Sequence, residues 1–158
     1  PDRHGSGAMA DLAPQEAELS PGLLPFALNR LMAAWNARLA ARLADIGLSF
    51  PQWRVLLACV RAGGPLTIVE LSERTLVPHS TLSRQLTEME RLGLVARGPA
   101  EDGRAVSIRL TEAGLARYRA ALPLAEAETE AGLARLSAAE RALLADLVAR
   151  MGEQVRGA

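Results

Sequence analysis

The 158-residue sequence predicts a mainly α-helical fold with one small β-arm, an α+β arrangement. Three observations carry that expectation. Apolar residues recur at steps of three and four over most of the chain, the signature of amphipathic helices. The stretch Ala105 to Leu110 alternates instead, with Val106, Ile108 and Leu110 on one side and Ala105, Ser107 and Arg109 on the other, as in a strand with one buried face. Three Ser/Thr-x-x-Glu/Gln patterns, at Ser49, Thr67 and Ser137, mark helix starts, because the first hydroxyl and the later carboxyl or amide satisfy each other's backbone N–H groups.

From Leu24, the residues Leu28, Leu31, Met32, Trp35, Leu39, Leu43 and Ile46 form one stripe and predict a long helix, with Pro25 tolerated in its first turn. Ser49 to Gln52 caps a second helix carrying Trp53, Leu56, Leu57 and Val60, which ends at Gly63-Gly64-Pro65. Thr67 to Glu70 opens a short third helix with Ile68, Val69, Leu71 and Leu76 as apolar candidates, and Pro78 bars its extension. A fourth helix spans Pro78 to Leu92, with Leu82, Leu86 and Met89 on one stripe and Gly93 as the stop. Its opposite face carries Ser80, Arg84, Thr87, Glu88 and Arg91, flanked by Thr81 and Ser83.

Leu94 to Ala96 and Val106 to Leu110 are the two runs of the β-arm, and the Gly-, Pro-, Asp- and Glu-rich segment between them reads as an exposed loop. Thr111 and Glu112 start a long helix with Leu115, Tyr118, Leu122 and Leu133, which Pro123 is expected to kink or split. Ser137 to Glu140 opens a last helix with Leu143, Leu144, Leu147, Val148, Met151 and Val155.

A short helix, a turn and a second helix with a polar outer face make a helix-turn-helix, and the β-arm directly after it makes that unit winged. The apolar stripes near the two chain ends are too long for so small a lobe to cover. A second copy of the chain is the simplest cover, and a C2 homodimer follows.

The length fits one domain. Residues 21–158 are read as that domain, with dimerisation helices at about 23–46 and 112–156 and the winged helix-turn-helix at about 50–111. "PDRHGSGA", ahead of Met9, reads as a cloning remnant, and the following residues to position 20 as a loose polar arm. All 18 basic residues are arginine, and the net charge is zero, so overall charge selects no partner. Its distribution says more. Between Arg30 and Thr111 eleven arginines face seven acids, whereas residues 112–158 hold six against seven, leaving the middle mildly basic. Cys59 is the single cysteine, so no intrachain disulfide forms. With no membrane-length apolar run and no signal peptide, a cytoplasmic location is expected.

"STLSRQLTEMERLGLVARGPAEDGRAVSIRLTEAG", Ser80 to Gly114, holds a polar-faced helix, a Leu-Gly-Leu-Val entry to the arm, an Asp-x-Arg turn and a Leu-Thr-x-x-Gly exit. In that order these motifs resemble the MarR family of dimeric winged-helix transcriptional regulators, over roughly Leu23 to Val155. The resemblance implies a sequence-specific, double-stranded DNA-binding homodimer, a ligand-responsive repressor on an inverted-repeat operator. The recognition helix would present Ser80, Thr81, Ser83, Arg84 and Thr87 to bases and phosphates. Arg104, at the loop tip, is the residue to enter a narrow minor groove. The resemblance gives Asp102 the role of holding a wing arginine in place. It also implies a small aromatic or amphipathic effector between the dimerisation helices and the winged lobe. Trp35, Trp53, Arg54 and Arg38, with Met32 and Phe26 near in sequence, are candidates for its walls and carboxylate partner. The alternative for both tryptophans is core or interface packing.

Other chemistry is poorly supported. His79 and Ser83 share a helix face, but no acid partner or oxyanion loop accompanies them, so no enzyme is expected. One histidine and one cysteine twenty residues apart make no metal site, and no cofactor is implied. Some members of the family sense oxidants through a cysteine near the chain start, which is lacking here; Cys59, beside Leu56, Leu57 and Val60, reads as a buried thiol. A winged-helix protein-interaction module without specific DNA binding remains the second reading.

Overall fold

The computed structural model describes residues 21–100 and 105–157. The remnant and arm assigned to residues 1–20 lie outside them. The chain divides into two compact units between Ala34 and Trp35. The described part of the first is a 3-10 turn, Pro21–Leu23, and the start of α1 (Leu24–Ala44), on which Phe26, Leu28, Leu31 and Met32 are exposed.

The second unit holds the rest of α1, then α2 (Phe50–Ala62), β1 (Leu66–Thr67), α3 (Ile68–Thr75), α4 (His79–Arg91), β2 (Val95–Pro99), β3 (Val106–Leu110), α5 (Glu112–Leu133) and α6 (Ala138–Arg156). All three expected capping boxes form, at Ser49 with Gln52, Thr67 with Glu70 and Ser137 with Glu140. Gly63 ends α2 and Gly93 follows α4, each at φ 69°, a left-handed conformation that glycine adopts without steric cost.

The core gathers Leu43, Leu56, Leu71, Leu82, Leu86, Met89 and Ile108, all fully buried. Each such side chain contributes on the order of 2 kcal/mol by leaving water. Trp53 stacks on Tyr118 with ring centroids 5.4 Å apart and planes 7° from parallel, joining α2 to α5. Across the C-terminal half of α1, Arg38 Nε donates to Glu128 Oε2 at 2.9 Å and Arg42 Nη1 to Glu128 Oε1 at 3.1 Å. Glu128 is buried on α5, whereas both arginine heads reach solvent. Trp35 packs against Gly132 on the same helix, where a β-carbon would meet its ring.

Several details depart from the sequence reading. The arm is part of a three-stranded antiparallel sheet of order β1-β3-β2, in which Leu66 pairs with Ile108 and Thr67 with Ser107. Two residues are too few for a period-2 signal, and Thr67 is also the cap of α3. β2 runs on through Arg97, Gly98 and Pro99, which the sequence places in the loop. The inward set is shifted as well. Val106 is exposed near the arm's tip, beyond the reach of the core, and Ser107 is buried, its hydroxyl bonding to the Gly98 and Pro99 carbonyls.

α5 continues through Pro123 without a break. Pro123 is on the exposed side, where the carbonyl its missing N–H leaves free is open to solvent, and Ala121 and Leu122 pack on the core side. Val69 and Leu76 are exposed rather than apolar anchors. No residue from Ala138 to Val155 on α6 is buried, so its stripe of Leu143, Leu147, Val148, Met151 and Val155 faces outward.

Candidate nucleic-acid interface

α3 and α4 are joined by a tight turn. Leu76 takes the left-handed conformation at φ 54° with its side chain 81% exposed, a strained choice for a residue with a β-carbon. Around it, the Ser72 hydroxyl donates to the Val77 carbonyl at 2.8 Å, and the buried Thr75 hydroxyl donates to the Leu71 carbonyl at 2.6 Å. The turn is thereby held by its own side chains. Pro78 follows and opens α4 with no side-chain cap, so the first N–H groups of the helix, beside exposed His79, Ser80 and Thr81, are left for an external acceptor.

Leu82, Leu86 and Met89 bury one face of α4 and thereby orient the other outward. Ser80, Thr81, Arg84 and Thr87 are exposed there, and Ser83 is half-buried. Among the described residues Arg84 is in no ion pair. The C-terminal half of the helix is different. Arg91 Nη2 binds Glu88 Oε1 at 2.6 Å, a hydrogen bond that lowers the Glu88 pKa and raises that of Arg91. Arg97 on β2 pairs with Glu90 at 3.2 Å, and its Nη2 donates to the Thr87 hydroxyl at 2.9 Å. Unpaired cationic character therefore sits in the N-terminal half, the end that a recognition helix inserts into the major groove.

Thr87 has little left to offer. Its hydroxyl donates to the Ser83 carbonyl at 3.1 Å and accepts from Arg97, so its single proton is used. A phosphate, which only accepts, finds no donor there. Arg97 is the residue the sequence reading missed. Its signal is the continued alternation Val95, Arg97, Pro99 along one face of β2.

Toward its tip the wing is closed by Ala100 N–H donating to the Ala105 carbonyl at 2.9 Å. Asp102 and Arg104 lie outside the described residues. At the other end, Thr111 N–H donates to the Leu94 carbonyl at 3.2 Å, and the Thr111 hydroxyl caps α5 by accepting from Gly114 N–H at 3.0 Å.

Of the four residues put forward for an effector cleft, three are engaged with α5. Trp53 is in the core against Tyr118, and the Arg38 guanidinium is held by Glu128. Trp35 packs on α5 at Gly132. Arg54 instead borders a shallow depression of about 260 Å³ with Leu57, Ala58, Arg61 and Arg74, between α2 and α3. Cys59 is buried, and desolvation pushes its thiol up to about 11, which leaves almost no thiolate near neutrality. Among the described residues no cluster of His, Cys, Asp or Glu has metal-holding geometry, and no helix is long and apolar enough to cross a membrane.

Comparison with known proteins decides the family. The MarR family profile matches residues 46–105. The transcriptional regulator HosA of Escherichia coli O157:H7 is 35% identical over 125 residues, 78% of this chain and 90% of HosA. The chain belongs to the MarR family. A MarR-family transcriptional regulator from Silicibacter pomeroyi superposes with a TM-score of 0.75 at 30% identity, covering 85% of this chain and 90% of that one. A second MarR-fold neighbour, Bordetella bronchiseptica BpsR, gives 0.72 at 25% identity over 82% and 98% of the two chains; its DNA binding is regulated by 6-hydroxynicotinic acid. MarR-family membership accounts for the order of the elements, a helix-turn-helix followed by a wing and framed by long helices, and makes the chain a transcriptional regulator of the DNA-binding kind.

Proposed function

We propose that this protein is a homodimeric, ligand-responsive repressor that acts in the cytoplasm on an inverted-repeat DNA operator. The observation that carries the reading is the α4 surface: an uncapped helix N-terminus with exposed hydroxyls at Ser80 and Thr81, and an arginine, Arg84, outside any ion pair among the described residues. Arg84 is assigned a bidentate contact to guanine, and Ser80, Thr81 and Ser83 contacts to phosphate or base. Arg104 is assigned the flanking minor groove, with Asp102 orienting the wing tip. Thr87 supports the helix instead of touching DNA.

Dimerisation is supported by the outward apolar stripe of α6, on which Leu143, Leu144, Leu147, Val148, Met151 and Val155 are exposed among the described residues. Two-fold symmetry then puts the two recognition helices about one turn of DNA, ~10 bp, apart. Repression needs only occupancy of the operator. An effector lowers affinity if it binds better to a form whose helix spacing does not fit DNA. An acid is its expected class, because Arg54, Arg61 and Arg74 line one depression together with Leu57 and Ala58. The regulation of BpsR by an aromatic acid is consistent with that class.

The experiment is selection from a random duplex pool at two salt concentrations. A two-fold-symmetric motif, with affinity falling steeply as salt rises, is the expected result. Recovery of no motif at either salt overturns the reading and favours a protein-interaction module.

A further inference from the structure

Arg97 occupies an unusual place for a charged residue. In the β2–β3 register it pairs with fully buried Ile108, and paired residues project to the same side of a sheet. Val95, two residues earlier on that face, is also buried. The sheet's pleat thus puts Arg97 on the face toward α4, although at this distance from the core the residue stays solvent-exposed. Its head ends on the recognition helix. There the guanidinium reaches two partners three residues apart, Thr87 by Nη2 at 2.9 Å and Glu90 by Nε at 3.2 Å.

We propose that Arg97 is a positioning residue for DNA recognition: it sets the angle between wing and recognition helix by gripping Thr87 and Glu90, and does not itself touch DNA. The inference rests on the reading of α4 and the wing as the DNA-contacting elements. Two further features support it. The Thr87 hydroxyl is anchored to the Ser83 carbonyl, so the grip is on the helix backbone and not on a free rotor. The arm beyond Arg97 is tied across by Ser107, whose hydroxyl meets the carbonyls of Gly98 at 3.3 Å and Pro99 at 3.1 Å, so a tilt at Arg97 is carried outward along both strands. A rigid planar fork suits two partners at once; a lysine ammonium on a flexible stem keeps the charge and loses that geometry.

Arg97→Lys and Thr87→Val are the discriminating variants. The second is isosteric and leaves the pair with Glu90 in place. Operator affinity, its dependence on salt, and amide hydrogen exchange of the free protein are measured for each and for the double variant. Each single change is expected to weaken operator binding about five- to tenfold, the net worth of roughly one exposed hydrogen bond. The salt dependence stays that of the unchanged protein, the two changes together cost no more than either alone, and amides of β2 and β3 exchange faster in Arg97→Lys. Operator binding by Arg97→Lys equal to that of the unchanged protein overturns the inference alone. So does a fall of about 0.9 in the salt slope of Arg97→Ala, which marks a direct phosphate contact. If the unchanged protein selects no operator, the functional reading falls and takes this inference with it.

Discussion

Gly114, in the first turn of α5, lies directly against the backbone carbonyl of Leu94 at the base of the wing, so closely that a β-carbon at position 114 would overlap that oxygen. The same carbonyl accepts from Thr111 N–H at 3.2 Å, and the Thr111 hydroxyl caps Gly114 N–H. The glycine of the Leu-Thr-x-x-Gly stretch is therefore a packing requirement where wing and helix cross. Helix propensity alone favours alanine there by about 1 kcal/mol. The structure reverses the sign: Gly114→Ala is expected to destabilise by about 2 kcal/mol or more, because backbone, not a yielding side chain, blocks the new atom. Urea unfolding checks it, and a variant as stable as the unchanged protein would show that the crossing relaxes at little cost.

The Arg38–Glu128–Arg42 group has a lopsided exposure, with the acid 5% exposed and the arginine heads 62% and 46%. Removing the two arginines strands a buried carboxylate, whereas removing the acid frees cations that water already reaches. Arg38→Ala with Arg42→Ala is thus expected to cost on the order of 3 kcal/mol. Glu128→Leu is expected to cost less than about 1 kcal/mol, the remaining attraction being discounted for solvent screening. Equal losses in both variants, measured by denaturant unfolding, would refute the asymmetry.

Glu70 and Glu140 supply a pH signature. Each carboxyl is held below its usual 4.5, chiefly by the cap residue's backbone N–H and then by its hydroxyl; for Glu70, Arg74 adds a smaller pull. A depressed folded pKa means stability that is complete above 4.5 and is lost as pH falls through the folded value. In Glu70→Gln with Glu140→Gln, the deficit in thermal midpoint relative to the unchanged protein should be largest near neutral pH and close progressively below 4.5. A deficit that is constant with pH would mean that the boxes act through shape alone.

Arg84 is the test of base readout. Arg84→Ala should relax preference at one position of each half-site by ~1 to 3 kcal/mol while leaving the rest of the motif intact. Repeating the duplex selection on the variant checks this, and an unaltered motif removes Arg84 from base recognition.

Much of this molecule was decided by short-range chemistry and is visible in the chain. Each capping box satisfies backbone groups within four residues, Gly63 and Gly93 end or follow their helices through their own conformational freedom, and Leu82, Leu86 and Met89 share a face because of helix pitch alone. The family-like stretch from Ser80 to Gly114 is likewise contiguous. What depends on distant partners is not visible there. Leu66 and Thr67 become a strand only because β3 lies beside them, and Pro123 leaves α5 whole because it faces solvent. Arg38 looks unpartnered until α5 delivers Glu128 to it across ninety positions, and Thr87 until Arg97, ten positions on, donates to its hydroxyl. Sequence determines which groups a residue carries and which neighbours lie within a turn of it. Only tertiary packing decides which of those groups are already spent on one another, and that decides which remain for DNA.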